Sequence, residues 1–265
     1  MRTTLYCVLA CLLIIGLTAP AVAQLTGQVI VVGVPDRFIA GNGNESTSGL
    51  TNVGVGARVV MVPFVHSGTG VLYNDTSITV TSATWTVTGP KGAVTVTDTT
   101  TGGNSGKVVF FKPDTAGTFT VNVNATTSRG IILGTIAIHA ANFSGVGIYN
   151  PTTKNYDNFN CTPCHDQNSG VFADFKKTNH ATVFPRRVDE VAGHFSNSCL
   201  KCHTVGYNTL AVNNGADETK GAFSVPINHP GLYDSLKTAS GSNAQLASFL
   251  AQTGIQCENC HGPAG

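Results

Sequence analysis

The feature that most constrains this chain is a cysteine pattern, C-x-x-C-H, that occurs at residues 161–165, 199–203 and 257–261. Two of the 8 cysteines, Cys7 and Cys11, lie in an apolar N-terminal segment, and the other six make up the three copies. Each pair has the same spacing, and a histidine follows each pair directly. The second half of the chain must therefore bring two thiols and an imidazole together three times.

Covalent attachment of haem c requires this arrangement. Two thiols add to the two vinyl groups of the porphyrin, and the next histidine lies under the iron as its proximal ligand. We therefore predict three haem c groups per chain. The thioether cysteines are Cys161, Cys164, Cys199, Cys202, Cys257 and Cys260, and the proximal ligands are His165, His203 and His261.

Two other uses of paired cysteines fit the pattern less well. Structural zinc usually takes four ligands, commonly from two C-x-x-C pairs, and three pairs do not divide into such sites, although Cys2His2 sites remain open. A disulfide framework suits an exported chain but leaves the three histidines unexplained. A thioredoxin-like site would need one motif at the start of a helix in a βαβ unit, and the sequence lacks that pattern.

The N-terminal segment predicts export from the cytoplasm. Arg2 precedes an apolar run at residues 5–17, and Ala21-Val22-Ala23 is a small-x-small cleavage signal. This order is typical of a secretory signal peptide spanning 1–23. The alternative is an uncleaved membrane anchor, for which the run is short, and no later segment is long and apolar enough to span a bilayer. We expect a periplasmic or extracellular protein.

The charge balance excludes one class of partner. Lys and Arg number 15 against 14 Asp and Glu, and only 11% of the residues are charged. Nucleic-acid binding needs a basic patch, and disorder needs high charge with low hydrophobicity, so neither is expected. The predicted partners are redox proteins or other haem proteins.

The residues before the motifs have a different pattern. Apolar residues alternate with Thr or Asn at 77–81, 84–88, 94–97 and 119–123, which indicates half-buried strands, and residues 89–92 form a turn signal between two of them. We predict an all-β sandwich over 24–148, a linker over 149–160, and a multihaem region over 161–265 with few short helices and much irregular structure.

Part of the β region resembles immunoglobulin-like and PKD-like domains. The stretch 111–121, F-K-P-D-T-A-G-T-F-T-V, is similar to their late-strand signature, and Trp85 resembles their core tryptophan. Phe119 replaces the usual tyrosine, so the corner hydroxyl hydrogen bond is lost, and the region has no cysteine for an inter-sheet disulfide. The resemblance implies an immunoglobulin-like sandwich without catalytic residues.

The motif-containing half resembles the cytochrome c554-like multihaem family. The similarity lies in T-N-H-A at 178–181, C-L-K-C-H-T-V-G-Y-N at 199–208 and G-I-Q-C-E-N-C-H-G-P at 254–263. It implies closely stacked c-type haems, usually with two histidines per iron, that pass electrons outside the cytoplasm. Family members usually continue beyond the last motif, so we expect a truncated member or a fragment of a longer gene.

The sixth iron ligands follow partly by elimination. Met1 leaves with the signal peptide and Met61 lies in the β region, so methionine ligation is not expected. Three histidines outside the motifs remain in this half, namely His180, His194 and His229, and we predict that they are distal ligands. His180 is the first candidate because it lies in a predicted helix over 170–183 and matches the family position. The alternatives are surface histidines or ligands to a haem elsewhere.

Three functions remain open. The chain has enough histidines to give every iron two histidine ligands. This favours electron transfer through bis-histidine haems that have no open site for a substrate. A haem enzyme that converts hydroxylamine or nitrite would instead keep one iron open. In a third, adhesive role, the β-domain would dock the cytochrome to a partner, to a cell surface, or to another copy in a homo-oligomer or filament. The adjacent Arg186 and Arg187 are candidate partners of haem propionates or else solvated surface.

Overall fold

The computed structural model describes the chain in segments that together cover both halves. These are residues 25–31, 50–67, 77–99, 105–143, 148–150, 155–157, 170, 174–175, 177–189, 195–218, 231–238, 250 and 253–263. Everything that follows concerns these residues.

The first half is built from nine strands. They are β1 Leu25–Val31, β2 Asn52–Gly54, β3 Val59–Ser67, β4 Val80–Gly89, β5 Gly92–Val94, β6 Thr97–Asp98, β7 Val109–Phe111, β8 Gly117–Thr127 and β9 Gly130–Ala141. One sheet has four strands in the order β1-β3-β7-β6, and the other has five in the order β2-β9-β8-β4-β5. All the pairings are antiparallel except that of β2 with β9, which is parallel.

Alternation along the strands explains why the two sheets face each other. In β8, Phe119, Val121 and Val123 are buried, while the intervening Thr120 and Asn122 are exposed. Buried residues from both sheets join in one hydrophobic cluster, as expected for strands with one apolar face. The predicted β-sandwich is therefore present in the first half.

Two predicted strands differ in extent from the observed ones. The run at 77–81 enters β4 only at Val80, and the run at 94–97 is divided between β5 and β6. These two strands lie in different sheets, so the chain crosses from one sheet to the other within the run. The predicted turn at 89–92 is confirmed, since Gly89 pairs with Gly92 between β4 and β5.

Phe119 and Trp85 occupy different positions in the sandwich. Phe119 is fully buried, and its ring centroid lies 5.6 Å from that of Phe111. Trp85 is only partly buried, and its Nε1 donates to the carbonyl oxygen of Gly106 at 2.7 Å. The centre of the core is therefore phenylalanine, while the tryptophan lies at its margin.

The second half has short helices and a separate core. After a small hairpin, β10 Ile148–Asn150 with β11 Asn155–Asp157, come the helices α1 Asn179–Asp189, α2 Leu200–His203, α3 Leu232–Thr238 and α4 Cys257–His261. Short 3₁₀ segments occupy Asn197–Cys199 and Ala216–Glu218. A second hydrophobic cluster joins these elements, and it includes Phe184, Leu200 and Leu236.

Helix α1 begins later than the sequence pattern indicates. Thr178 accepts a hydrogen bond from the backbone N–H of Ala181 at 3.3 Å through its hydroxyl, as an N-cap residue does. The cap places the first helical residue at Asn179, and the helix continues through Pro185 to Asp189. The predicted helix over 170–183 therefore overlaps the observed one only in part. No helix in the described part of the chain has the length and apolar character to cross a membrane.

An asparagine-rich loop connects the two halves. We call residues 208–218 the docking loop. Its side-chain amides donate to sandwich carbonyls: Asn208 to Gly56 at 3.1 Å, Asn213 to Val55 at 3.2 Å and Asn214 to Phe143 at 2.5 Å. These bonds join the turn after β2 and the segment after β9 to the second half.

Candidate haem-attachment sites

The second motif lies on one continuous helical turn. The 3₁₀ segment Asn197–Cys199 runs directly into α2, and Cys199 itself has helical φ and ψ of −83° and −21°. Residues three and four positions apart share a helix face, so Cys199, Cys202 and His203 are presented together. Leu200, three positions before His203, is fully buried, so the side of the turn next to the histidine faces the protein.

The third motif repeats this orientation. All five residues of the motif lie in α4, in which Glu258 is buried, whereas Cys260 and His261 are exposed. Glu258 occupies the same motif position as Leu200, so both helices bury the residue after the first cysteine. The second cysteine of each motif, Cys202 or Cys260, is exposed in both copies.

A capping box starts the third-motif helix. The Gln256 side chain accepts from the backbone of Asn259, and the Asn259 side chain accepts from the backbone of Gln256, the second bond being 2.8 Å long. This reciprocal pairing satisfies two backbone donors that a helix start would leave open. Gly262 ends the helix with a φ of +78°, and a Cβ there would overlap the carbonyl oxygen of Asn52 in β2. The third motif is thus packed against the sandwich edge.

The two motifs are held side by side. Thr204, directly after the second motif, forms a β-bridge with Gly254, and Val205 N–H donates to the carbonyl of Thr253 at 3.0 Å. Asn259, inside the third motif, donates from Nδ2 to the carbonyl of Thr204 at 2.9 Å. Hydrogen bonds therefore join the third motif and the residues before it to the residues directly after the second motif.

His203 lies in an environment that favours its neutral form. The Phe195 ring meets it edge-on with centroids 5.3 Å apart, and its Nδ1 is buried without a hydrogen-bond partner. Burial lowers the pKa of His203, and the charges of Arg187 and His180 lower it further. A neutral imidazole is the form that binds iron, so this histidine suits a proximal ligand.

Among the predicted distal ligands, His180 is the one within the described residues. It is the second residue of α1 and is exposed, with its ring close enough to His203 to affect the pKa of that group. Helix α1 packs against α2. The fold therefore brings His180 to the neighbourhood of the second motif.

The residues present fit a covalently bound haem at these two motifs. Each motif offers two thiols and one imidazole on a short helical segment, and Cys199, Cys202, Cys257 and Cys260 form no disulfide among the described residues and are at least partly exposed. Within the described part of the chain, no three His, Cys, Asp or Glu side chains are grouped as a metal ion would need. Met61 is fully buried in the sandwich core, so its side chain is not available to bind an iron in the second half.

Several predicted residues lie outside the described residues. They are the signal peptide 1–23, the first motif with Cys161, Cys164 and His165, and the candidate ligands His194 and His229. Their assignment remains a prediction from the sequence.

A buried carboxyl group, that of Asp217, lies in the loop after the second motif and was not predicted from the sequence. Asp217 is fully buried, with Oδ1 accepting from Asn208 N–H at 3.0 Å and Oδ2 lacking a partner. Burial raises its pKa to about 6 despite the backbone hydrogen bonds that lower it, and the charge of Glu218 adds to the rise. Burial and then Asp217 raise the pKa of Tyr207 in turn. The pair Asp217-Glu218 follows a turn-forming N-N-G, which by pattern suggests a solvated loop.

Comparisons with protein-family models, curated proteins and solved structures find no match to this chain. The resemblances to cytochrome c554-like proteins and to immunoglobulin-like domains therefore rest on the residues quoted above.

Proposed function

We propose that this protein is an exported multihaem c-type cytochrome that transfers electrons through three covalently bound haems. The observation that carries the proposal is the shared geometry of the second and third motifs. In each, the residue directly after the first cysteine is buried, the second cysteine is exposed, and the histidine lies on the same short helix. A disulfide framework would not need that histidine.

The chain's own residues have distinct roles in this function. Cysteines such as Cys199 and Cys202 would hold the porphyrin edge, and His203, against which the Phe195 ring packs, would bind the iron. Haem c, when bound, supplies a one-electron ferric–ferrous couple. His180 as a second ligand would close the iron to substrate, so we assign electron transfer and no catalytic residues. The finer architecture we propose is an immunoglobulin-like sandwich followed by a cytochrome c554-like region.

The partners and location form part of the same proposal. A signal peptide over 1–23 would deliver the chain to the periplasm or the cell exterior, where c-type haems are attached. The sandwich offers a second surface through which a redox protein, or another copy of the chain in an oligomer or filament, would dock.

Intact mass measurement tests the proposal directly. The secreted protein, extracted with acid-acetone to remove unbound haem, should keep the added mass of three haems, and a pyridine haemochrome assay should give the same count. A variant with Cys199→Ala and Cys202→Ala should lose one haem. A secreted chain with the mass of the bare polypeptide would refute the proposal, and a high-spin haem that binds nitrite or hydroxylamine would favour the enzyme.

A further inference from the structure

Phe195 lies between two helices and the histidine of the second motif. Its ring centroid is 6.2 Å from that of Phe184 in α1, 5.4 Å from that of Tyr233 in α3 and 5.3 Å from that of His203. We call these four side chains the ring group. Phe184 has no exposed surface, and Phe195 and Tyr233 have very little. The Phe195 ring is therefore held by both helices where it meets the motif.

Hydrogen bonds fix the segment after Phe195 to α3. Asn197 Oδ1 accepts from the N–H of Tyr233 at 3.0 Å, and its Nδ2 donates to Asp234 Oδ2 at 2.8 Å. Asn197 begins the 3₁₀ segment that ends at Cys199, the first cysteine of the motif. The ring group and the attachment site are therefore joined by backbone and side-chain contacts on both sides of Phe195.

The contact between Phe195 and His203 is edge-to-face. The two ring planes make an angle of 71°, and aromatic pairs prefer such T-shaped arrangements. A histidine ring turns over a broad range about its Cβ–Cγ bond, so attachment of the neighbouring cysteines would not by itself fix the ring plane. A ring that is packed edge-to-face against the imidazole restricts this rotation.

The burial of His203 differs between its parts. The residue as a whole is only half-buried, whereas its Nδ1 is completely enclosed and has no hydrogen-bond partner. Nδ1 therefore faces the protein, and Nε2 is the nitrogen left to bind an iron. The contact with Phe195 acts on a ring whose iron-binding atom already has a defined direction.

We propose that Phe195 is a positioning residue that sets the plane of the His203 imidazole at the haem attached at residues 199–203. The inference rests on the proposed function, since it needs a haem at that motif. An imidazole interacts with the iron d orbital that is oriented perpendicular to the ring plane. The plane of the ring therefore determines how the unpaired spin of ferric haem is distributed over the porphyrin, and the NMR shifts of the haem methyl groups report that distribution.

The first test uses the unmutated, secreted holoprotein. In its ferrous, diamagnetic form, nuclear Overhauser effects should connect the ring protons of Phe195 with those of His203. In its ferric form, the haem methyl shifts give the reference pattern for the variants.

The second test removes the ring. Phe195→Leu keeps an apolar side chain, and it should change the methyl shifts of one haem while those of the other two stay. Phe195→Tyr keeps the ring and should retain most of the unmutated pattern. Phe184→Leu is the matched control, because it removes a ring that contacts Phe195 from the same ring group, and it should change the methyl shifts much less.

The outcomes separate this inference from the proposed function. Fewer than three haems by intact mass in the unmutated protein would refute the function. Three haems without Overhauser effects between Phe195 and His203 would overturn the role of Phe195 alone, and this measurement needs no variant to fold. Unchanged methyl shifts in Phe195→Leu would overturn it as well. An equally large change in Phe184→Leu would do the same, because the effect would then come from general repacking of the ring group.

Discussion

The side-chain amide of Asn259 donates from Nδ2 to the carbonyl oxygen of Thr204 at 2.9 Å, and its Oδ1 accepts from the N–H of Gln256 at 2.8 Å. One side chain therefore both starts the helix of the third motif and ties that helix to the residue after the second motif. The two functions use different atoms of the amide, so substitution can separate them.

We predict that Asn259→Asp lowers the free energy of unfolding by about 1 kcal/mol, because the bond to Thr204 is lost while the cap acceptor is kept. Asn259→Ala loses both bonds and should cost about 1 kcal/mol more. Denaturant titration measures both changes. Asn124→Ala, on the exposed face of β8, is the control and should change stability by less than about 0.5 kcal/mol. Equal losses in the two Asn259 variants would contradict the separation of roles.

His180→Ala should convert one haem to a high-spin or weakly ligated form while all three haems stay attached. His180 is exposed, so the substitution should cost little stability. Optical and EPR spectra of the holoprotein measure the change of spin state. An unchanged low-spin spectrum without added ligand would show that His180 binds no iron.

The buried Asp217 predicts a specific dependence of stability on pH. Its pKa rises from 3.8 to about 6 on folding, so the folded state binds the proton more tightly than the unfolded state between these values. Its contribution is therefore complete below about pH 4 and is lost as the pH rises through about 6. Asp217→Asn should remove this loss and be more stable than the unmutated protein at pH 7, by on the order of 2 kcal/mol. Parallel stability profiles of the two proteins between pH 4 and 7 would contradict the prediction.

The turn at Gly56, which the docking loop contacts, allows a prediction of how much stability a side chain at this position would cost. Gly56 has a φ of +80°, and a Cβ would overlap the Cβ of Ala211 and approach the amide of Asn208. Gly92 has a φ of +106° with no atom near its Cβ position, so Gly92→Ala is a matched control for backbone strain alone. Thermal unfolding should show a loss of about 1 kcal/mol for Gly92→Ala and about 1–3 kcal/mol more for Gly56→Ala. Equal losses of stability in the two variants would mean that the docking loop does not limit the space at Gly56.

Residues 24–148 expressed alone should fold without haem, because the sandwich has its own hydrophobic cluster and no cysteine. Phe143 belongs to the other cluster, so its side chain should become exposed in the fragment. Circular dichroism and NMR chemical-shift dispersion measure the fold, and a disordered fragment would contradict an independent domain.

Local patterns predicted the parts of this structure that local forces determine. The alternation around Val121 and the turn at 89–92 follow from residue type, and both are present in the structure. The crossing between sheets at 94–97 was not predicted, because tertiary packing decides which sheet an alternating run joins.

The sequence pattern did not predict contacts between residues that are far apart in the chain. Asn208 meets Gly56 across 152 positions, and Asn259 meets Thr204 across 55. Nothing in the composition of the loop 208–218 distinguishes asparagines that face a carbonyl from asparagines that face water. The burial of Asp217 also depends on distant contacts, because the loop 208–218 packs against the sandwich. The polar residues of this loop by themselves indicate a solvent-exposed loop.

The close approach of Gly262 to Asn52 places the sandwich directly beside the end of the third motif. Gly262 follows His261 directly, and a Cβ on it would overlap the carbonyl oxygen of Asn52. A force on β2, such as the pull of a bound partner, is therefore transmitted to the end of the helix that presents His261. If His261 binds iron as proposed, strain applied to the β-domain would reach that ligand through a single residue.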